Sequence, residues 1–213
     1  MNKTQNIFQL WLEVIGLYIV FPLLFLLDIF NFPIMLLLIP VGLGIYFWLK
    51  KDPGFDNHLF FNWDSAKPYL KPMLLGFLAA AIIILVAGYL VNPSNMFFLV
   101  KEKPWLLIII SIFYPLFSVI PQALAYRALF FHRYAVYFKN KWVQILISAV
   151  LFSFGHILYK NWLVLALTFV AGIVYAYRYY QSKSLALSIL EHSLYGVWLF
   201  ASGLGMFFVS HRI

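Results

Sequence analysis

The chain has 213 residues, of which 64% are hydrophobic and only 10% are charged, and its formal net charge is +8. A soluble domain has about 25% charged residues, so this composition predicts a single integral membrane domain over residues 1–213. Cysteine is absent, which excludes disulfides, thiolate catalysis and cysteine-based zinc sites. Since the basic residues flank apolar segments and form no separate patch, nucleic acid is not an expected partner.

Seven apolar segments approach the length of roughly 20 residues that a membrane helix needs. They predict an all-α, polytopic bundle of about seven transmembrane helices. In chain order the predicted spans are residues 10–27, 32–49, 73–91, 105–126, 142–159, 162–179 and 185–209. The first two form a tight hairpin around Asp28 and Asn31, and residues 50–71 are predicted to be one long polar connection because turn-forming residues recur there.

Lysine and arginine are distributed unevenly between the two sides of these spans. Ten of them, beginning with Lys3, fall on one side, four, ending with Arg212, fall on the other, and Arg127 lies inside the fourth span. Cytoplasmic loops are enriched in Lys and Arg. We therefore expect a cytoplasmic N-terminus, an outer C-terminus and the lipid bilayer as a partner.

A small set of polar side chains lies well inside the predicted spans. The set consists of Gln122, Arg127, His156, Glu191 and His192. Such groups are costly in lipid and usually face the bundle interior or a water-filled cavity. By contrast, Glu13, His132 and Arg133 lie near span ends, so we expect them to reach lipid headgroups or solvent.

Helix geometry predicts that Gln122 and His156 lie at the same depth. With the intervening turn near Asn140, they stand 18 and 16 residues from that turn, which at 1.5 Å per residue leaves roughly 3 Å between their depths. His192 lies about 12 Å in from the cytoplasmic start of the last span. We therefore expect these three side chains and Arg127 to converge on a shared cavity.

Three short motifs occur in order on these spans: QALAYR at 122–127, FSFGH at 152–156 and HSLYG at 192–196. They resemble the Glu-Glu-x-x-x-Arg, Phe-x-x-x-His and His-x-x-x-Asn motifs of the CPBP family, which comprises type II CAAX prenyl endopeptidases and bacteriocin-processing (Abi) intramembrane proteases. The resemblance covers about residues 105–200, which would form the CPBP-like core. The resemblance rests on the order of the three motifs, on their spacing and on their placement on separate spans.

The resemblance implies an intramembrane endopeptidase, in a bacterial inner membrane, that hydrolyses a peptide or protein substrate without a cofactor. In the family, the first glutamate and the Phe-x-x-x-His histidine activate a water, so His156 is the matching histidine and Phe152 the matching phenylalanine. The later histidine, matched by His192, stabilises the oxyanion together with the asparagine. The arginine, matched by Arg127, is expected to face and orient the carboxylates.

Three positions depart from the family pattern. Gln122 and Ala123 stand where the two glutamates are expected, and Gly196 replaces the asparagine. A glutamine can orient a water by hydrogen bonds, but it cannot act as a base near neutral pH. We therefore expect impaired hydrolysis in this chain, and the alternative function is a catalytically inactive membrane scaffold, immunity factor or partner-binding protein.

Three explanations of these departures are open. The chain is an engineered inactive form in which Ala123 replaces a glutamate, a natural pseudoprotease, or a divergent protease whose base is Glu191. Glu191 would pair with Arg127 or Arg178, or lie on another wall, since neighbours on a helix are about 100° apart. No metal is expected, although two histidines and a carboxylate could hold zinc. A transporter is disfavoured because no repeat is present, and the oligomeric state stays open.

Overall fold

The computed structural model describes residues 7–30 and 32–208, so Lys3, Asn31, Val209, His211 and Arg212 lie outside the described residues. Regular structure in the described ranges is helical throughout. Six helices there are long and apolar enough to cross a membrane: Phe8–Leu26, Asn57–Val91, Pro104–Tyr137, Lys141–Tyr159, Trp162–Ser182 and Leu185–Ser202. The prediction of a polytopic helix bundle is confirmed.

Several predicted spans differ in length from the helices of the structure, and the second and third differ at the ends that flank the predicted polar connection. The second becomes helix α3, Met35–Lys51, whose 17 residues lie at the lower limit for a membrane crossing. The third begins earlier, because helix α4 runs from Trp63 to Val91. The Asn62 side chain caps α4 by accepting a hydrogen bond from the Ser65 amide at 3.2 Å. The predicted polar connection therefore ends before α4, and its extension to residue 71 was wrong.

The N-terminal helices are short pieces of one span, α1 (Ile7–Ile15) and α2 (Phe21–Leu26), joined by a π-helical turn. After α4, the short helix α5 (Phe98–Glu102) leads into the long helix that carries the first motif. That long helix contains α6 (Pro104–Tyr114), a π-helical segment (Pro115–Val119), α7 (Ile120–Ala123) and a second π-helical segment (Leu124–Tyr134).

Two prolines explain the changes of winding in the long helix. Pro115 and Pro121 have no N–H group, so each interrupts the α-helical ladder of hydrogen bonds. The first π-helical segment begins at Pro115, and the second follows soon after Pro121. Wide π turns of this kind are frequent at functional sites, and here they determine the direction in which Gln122 and Arg127 leave the helix.

The last three helices are α8 (Lys141–Phe154), α9 (Trp162–Ser182) and α10 (Leu185–Ser202). Side chains of the preceding residues cap all three: Asn140 accepts from the Trp142 amide, Asn161 from the Leu163 amide and Ser184 from the Leu187 amide. Helices α8 and α9 approach closely at Gly172, where an added Cβ would lie 2.9 Å from the Ala149 Cα. Helix α10 packs against α4, α6 and α9.

The polar residues Glu13, His132 and Arg133 near the span ends are partly exposed, and each also forms a hydrogen-bonded pair. Arg133 donates two hydrogen bonds to the Glu13 carboxylate, from Nε at 2.6 Å and from Nη2 at 2.7 Å. The His132 Nε2 bonds to the Asp52 carboxylate at 2.9 Å. This bond and one from the Gly54 amide lower the pKa of Asp52. Both pairs attach the end of the long helix to its neighbours.

Helix α3 supports the first motif through a close contact at Gly42. A Cβ added at Gly42 would lie 2.7 Å from the Pro121 Cβ, whereas a Cβ at Gly44 would meet nothing within 4 Å. We expect Gly42→Ala to destabilise the protein by about 1–3 kcal/mol through overpacking. Gly44→Ala, the matched control, should be neutral or stabilising because alanine favours a helix by about 0.5–1 kcal/mol. Thermal unfolding in detergent measures both, and equal shifts would contradict the close packing.

Candidate functional site

A small cavity lies between the long helix, α8, α9 and α10. Its volume is about 60 Å³, which accommodates a few water molecules and is far below the several hundred Å³ of a drug-sized ligand pocket. Its polar lining residues are Tyr114, Ser118, Gln122, His156, Tyr159, Thr168, Tyr175 and His192. The fold thus brings residues from all three motifs to a single small space.

A second cavity of about 50 Å³ lies on the side of α2 and α3. Ser118, Gln122, His156 and Tyr159 line both cavities, so they form the boundary between the two. The remainder of the second cavity is mostly apolar. Gln122 and His156 therefore face water-sized spaces on two sides while the rest of each helix packs in the bundle.

The Gln122 side chain is held by one hydrogen bond and offers one free acceptor. Its Nε2 donates to the Ser118 Oγ at 2.8 Å. Its Oε1 is buried and has no hydrogen-bond partner among the described residues. An amide oxygen accepts hydrogen bonds but is not a base at neutral pH. Gln122 can therefore bind and orient a water but cannot take its proton.

The His156 ring is oriented by its own motif. Its Nδ1 lies 2.7 Å from the Phe152 carbonyl oxygen, and the Phe152 ring contacts the imidazole edge-on at a centroid distance of 4.7 Å. A carbonyl oxygen only accepts, so the proton of the neutral ring lies on Nδ1 and Nε2 carries the lone pair. The Phe-x-x-x-His spacing thus supplies both the acceptor and the ring that fix His156.

His192 is held by two tyrosines. Its Nε2 lies 3.2 Å from the Tyr114 hydroxyl, and its ring stacks on Tyr175 at a centroid distance of 4.6 Å. Its Nδ1 is buried and has no partner among the residues that the structure describes. Tyr114 belongs to none of the three motifs, and sequence reasoning missed it. The sequence feature that could have indicated such a residue is Gly196, because a glycine in place of the asparagine leaves space for a neighbouring side chain.

The first motif directs its three key residues to different surroundings. Unlike Gln122, Ala123 lines neither cavity and is 1% exposed within an apolar cluster that includes Tyr18 and Leu124. Arg127 is also 1% exposed, and none of its guanidinium nitrogens forms a hydrogen bond within the described ranges. The expected pair of carboxylates is therefore not beside Arg127.

Aromatic rings take the place of those carboxylates. The Arg127 Cζ lies 4.3 Å from the centroid of the Phe152 ring and 5.2 Å from that of Tyr175. A desolvated cation–π contact stabilises by about 2 kcal/mol, which is less than the several kcal/mol that burying a cation costs. Arg127 is thus a buried charge with incomplete compensation, and it stands behind the two rings that line the cavity.

Glu191 pairs with Arg178, one of the partners that the sequence left open. Arg178 donates from Nε to Oε2 at 3.0 Å and from Nη2 to Oε1 at 3.2 Å, and Glu191 is 0% exposed. Glu191 lines neither cavity. Among the described residues, no three His, Asp or Glu side chains converge on a common point. The carboxylate that a zinc site would need thus does not stand beside His156 and His192.

Residues 104–198 match the family model described as type II CAAX prenyl endopeptidase Rce1-like. This segment is similar to that family. It begins at the first residue of α6, ends inside α10 and contains all three motifs, so the matched segment carries every polar group on which the two cavities depend. The match confirms the predicted resemblance to the CPBP family. No curated protein and no solved structure matches the chain.

Proposed function

We propose that the chain is an intramembrane endopeptidase scaffold of the Rce1-like type whose glutamate-dependent hydrolysis is impaired. Its ligand would be a peptide or protein segment at the membrane, in keeping with the family. The observation that carries the proposal is the cavity shared by Gln122, His156 and His192, whose described lining includes no carboxylate. The site keeps the means to orient water and a carbonyl group but lacks the acidic base.

The chemistry available to this site follows from its acceptors. Gln122 Oε1 and His156 Nε2 are both acceptors, and their side chains line the same cavities. A water that donates its two hydrogens to them would keep its lone pairs for attack on a carbonyl carbon. Only the imidazole could take the proton. His156 would therefore have to replace the family's glutamate as the base, and we propose that hydrolysis by this chain does not exceed the background rate.

The three departures from the family pattern each fit their surroundings. Gln122 bonds to Ser118, Ala123 packs among apolar side chains, and Gly196 lies beneath the Tyr114 ring. A single engineered replacement at Ala123 would leave the other two departures unexplained. These contacts favour a natural pseudoprotease over an engineered form. The pairing of Glu191 with Arg178 also disfavours Glu191 as a divergent base.

We further propose that the protein lies in a bacterial inner membrane with its N-terminus in the cytoplasm. The bias of lysine and arginine toward one set of loops supports this orientation. The count of crossings requires that α3, at 17 residues, spans the bilayer together with the six longer helices.

The alternative is a partner-binding membrane protein with no peptide site. The absence of carboxylates from the described cavity walls favours it over an active protease. One experiment separates the two: the chain in lipid nanodiscs is titrated with a fluorescent farnesylated CAAX peptide, and binding is measured by anisotropy and cleavage by mass spectrometry. The non-prenylated peptide serves as the ligand control.

We expect the peptide to bind, and we expect cleavage no faster than that of His156→Ala. Cleavage by the unmodified chain that disappears in His156→Ala would contradict the impaired site and show a competent histidine base. If neither peptide binds to the folded protein, the peptide-binding proposal fails and the partner-binding alternative takes its place.

A further inference from the structure

Tyr114 occupies the space that the family's asparagine would need. A Cβ added at Gly196 would fall among the Cε1, Cζ and hydroxyl oxygen atoms of the Tyr114 ring. Gly196 is buried and lies one helical turn after His192. An asparagine side chain at position 196 would therefore clash with Tyr114. The Tyr114 ring fits in this place only because residue 196 is a glycine.

The Tyr114 ring is fixed on both sides. It contacts the Phe200 ring at a centroid distance of 5.7 Å and the His192 ring edge-on at 6.1 Å. Its hydroxyl lies 3.2 Å from the His192 Nε2. The residue also lines the first cavity together with Gln122 and His156. Tyr114 thus lines the cavity, and its hydroxyl is oriented by His192, the residue that matches the histidine that the family uses with its asparagine.

The surroundings of His192 determine where the Tyr114 proton points. The His192 Nδ1 is buried, and no acceptor faces it within the described part of the chain. A proton placed on Nδ1 would leave a buried donor without a partner, which is the rarer and costlier kind of unsatisfied group. The neutral ring therefore carries its proton on Nε2 and donates it to the tyrosine oxygen. The hydroxyl proton of Tyr114 is then free to point into the cavity.

We propose that the Tyr114 hydroxyl is the hydrogen-bond donor of this site to a peptide carbonyl oxygen, acting in place of the asparagine. The inference rests on the proposed peptide-binding function. The ligand chemistry is a neutral amide: its carbonyl oxygen accepts from Tyr114, and the His192 bond strengthens that donor by polarising the hydroxyl. The hydroxyl needs no acidic base for this role, so it serves a binding scaffold as well as a protease.

The test compares two farnesylated CAAX peptides that differ in one atom group. In one, the amide after the prenylated cysteine is intact; in the other, a trans-alkene keeps the shape but lacks both the carbonyl oxygen and the N–H group. We expect the unmodified chain in nanodiscs to bind the amide about three- to tenfold more tightly than the alkene. Tyr114→Phe should weaken binding of the amide peptide, and so reduce this preference, while its affinity for the alkene peptide stays unchanged.

The control variant is Tyr195→Phe, which makes the same change on α10 at a residue outside both cavity linings. It should keep the preference for the amide. If Tyr114→Phe weakens the binding of both peptides equally, or of neither, Tyr114 has only a packing role. The inference is then overturned, while the proposed function stands. If the unmodified chain binds neither peptide, the proposed function fails and this inference falls with it.

A measurement without ligand tests the tautomer directly. In protein labelled with ¹⁵N-histidine, we expect the His192 resonances to show a protonated Nε2, and Tyr114→Phe to shift the Nε2 signal more than the Nδ1 signal. A proton found on Nδ1 would mean that Tyr114 donates its own proton to His192. The hydroxyl would then have none for a carbonyl oxygen, and the inference would be overturned whatever the peptides do.

Discussion

Glutamate at both Gln122 and Ala123 is expected to accelerate peptide cleavage by on the order of 10²–10⁴-fold, the usual contribution of a positioned general base. A carboxylate at position 122 would stand at both cavities beside His156 and could take the proton that the amide cannot. A carboxylate at position 123 would lie one helical turn before Arg127 and supply the counter-ion that the guanidinium lacks.

The two single glutamate variants should raise the cleavage rate by unequal amounts. Gln122→Glu should give most of the gain, because position 122 lines the cavities. Ala123→Glu should give little cleavage alone, because Ala123 is 1% exposed in an apolar cluster and lines neither cavity. One of the open explanations of the motif places the defect at Ala123 alone. The comparison of the two single variants tests that explanation against the geometry, which favours position 122.

The rates are measured as initial velocities on the farnesylated peptide at equal protein concentration. Adding His156→Ala to the double glutamate variant should return the rate to the background. Gln181→Glu makes the same charge change on α9, outside both cavity linings, and should leave the rate unaltered. A double variant that is folded, binds peptide and still fails to cleave would sink the proposal that missing carboxylates are what impairs the site.

Arg178→Met is expected to destabilise the protein by about 3–5 kcal/mol, the usual effect of leaving one charge of a buried pair without its partner. Glu191 is 0% exposed, and both of its carboxylate oxygens are held by Arg178. Replacing both residues, in Arg178→Met/Glu191→Met, should cost much less, because no buried charge is then left without a partner.

Unfolding in mixed detergent micelles, followed by the loss of helical signal, gives these free energies. Lys67→Met serves as the control, since it removes one member of the exposed Lys67–Asp64 pair, and it should leave stability unchanged within error. If the double variant loses as much stability as the single one, the Arg178–Glu191 bonds are not what stabilises this part of the bundle, and Glu191 would need another role.

Sequence reasoning gave the membrane architecture, because the length of an apolar run and the rise of a helix are local properties. It also gave the grouping of Gln122, His156 and His192, since residue counts from a turn fix depth along the bundle axis. It overestimated the length of the polar connection before α4. Asn62 caps that helix and Pro68 and Pro72 lie inside it, whereas turn-forming composition predicts a loop that extends to residue 71.

The sequence by itself determined that this protein is a membrane helix bundle and which spans carry the motifs. It also determined that neither glutamate position of the family pattern holds a glutamate. Only the tertiary structure decided that Glu191 pairs with Arg178, that Arg127 faces aromatic rings and that Tyr114 fills the space above Gly196. These contacts depend on how each helix is rotated about its axis against its neighbours. Close packing of the whole bundle sets that rotation, and no local pattern of residues specifies it.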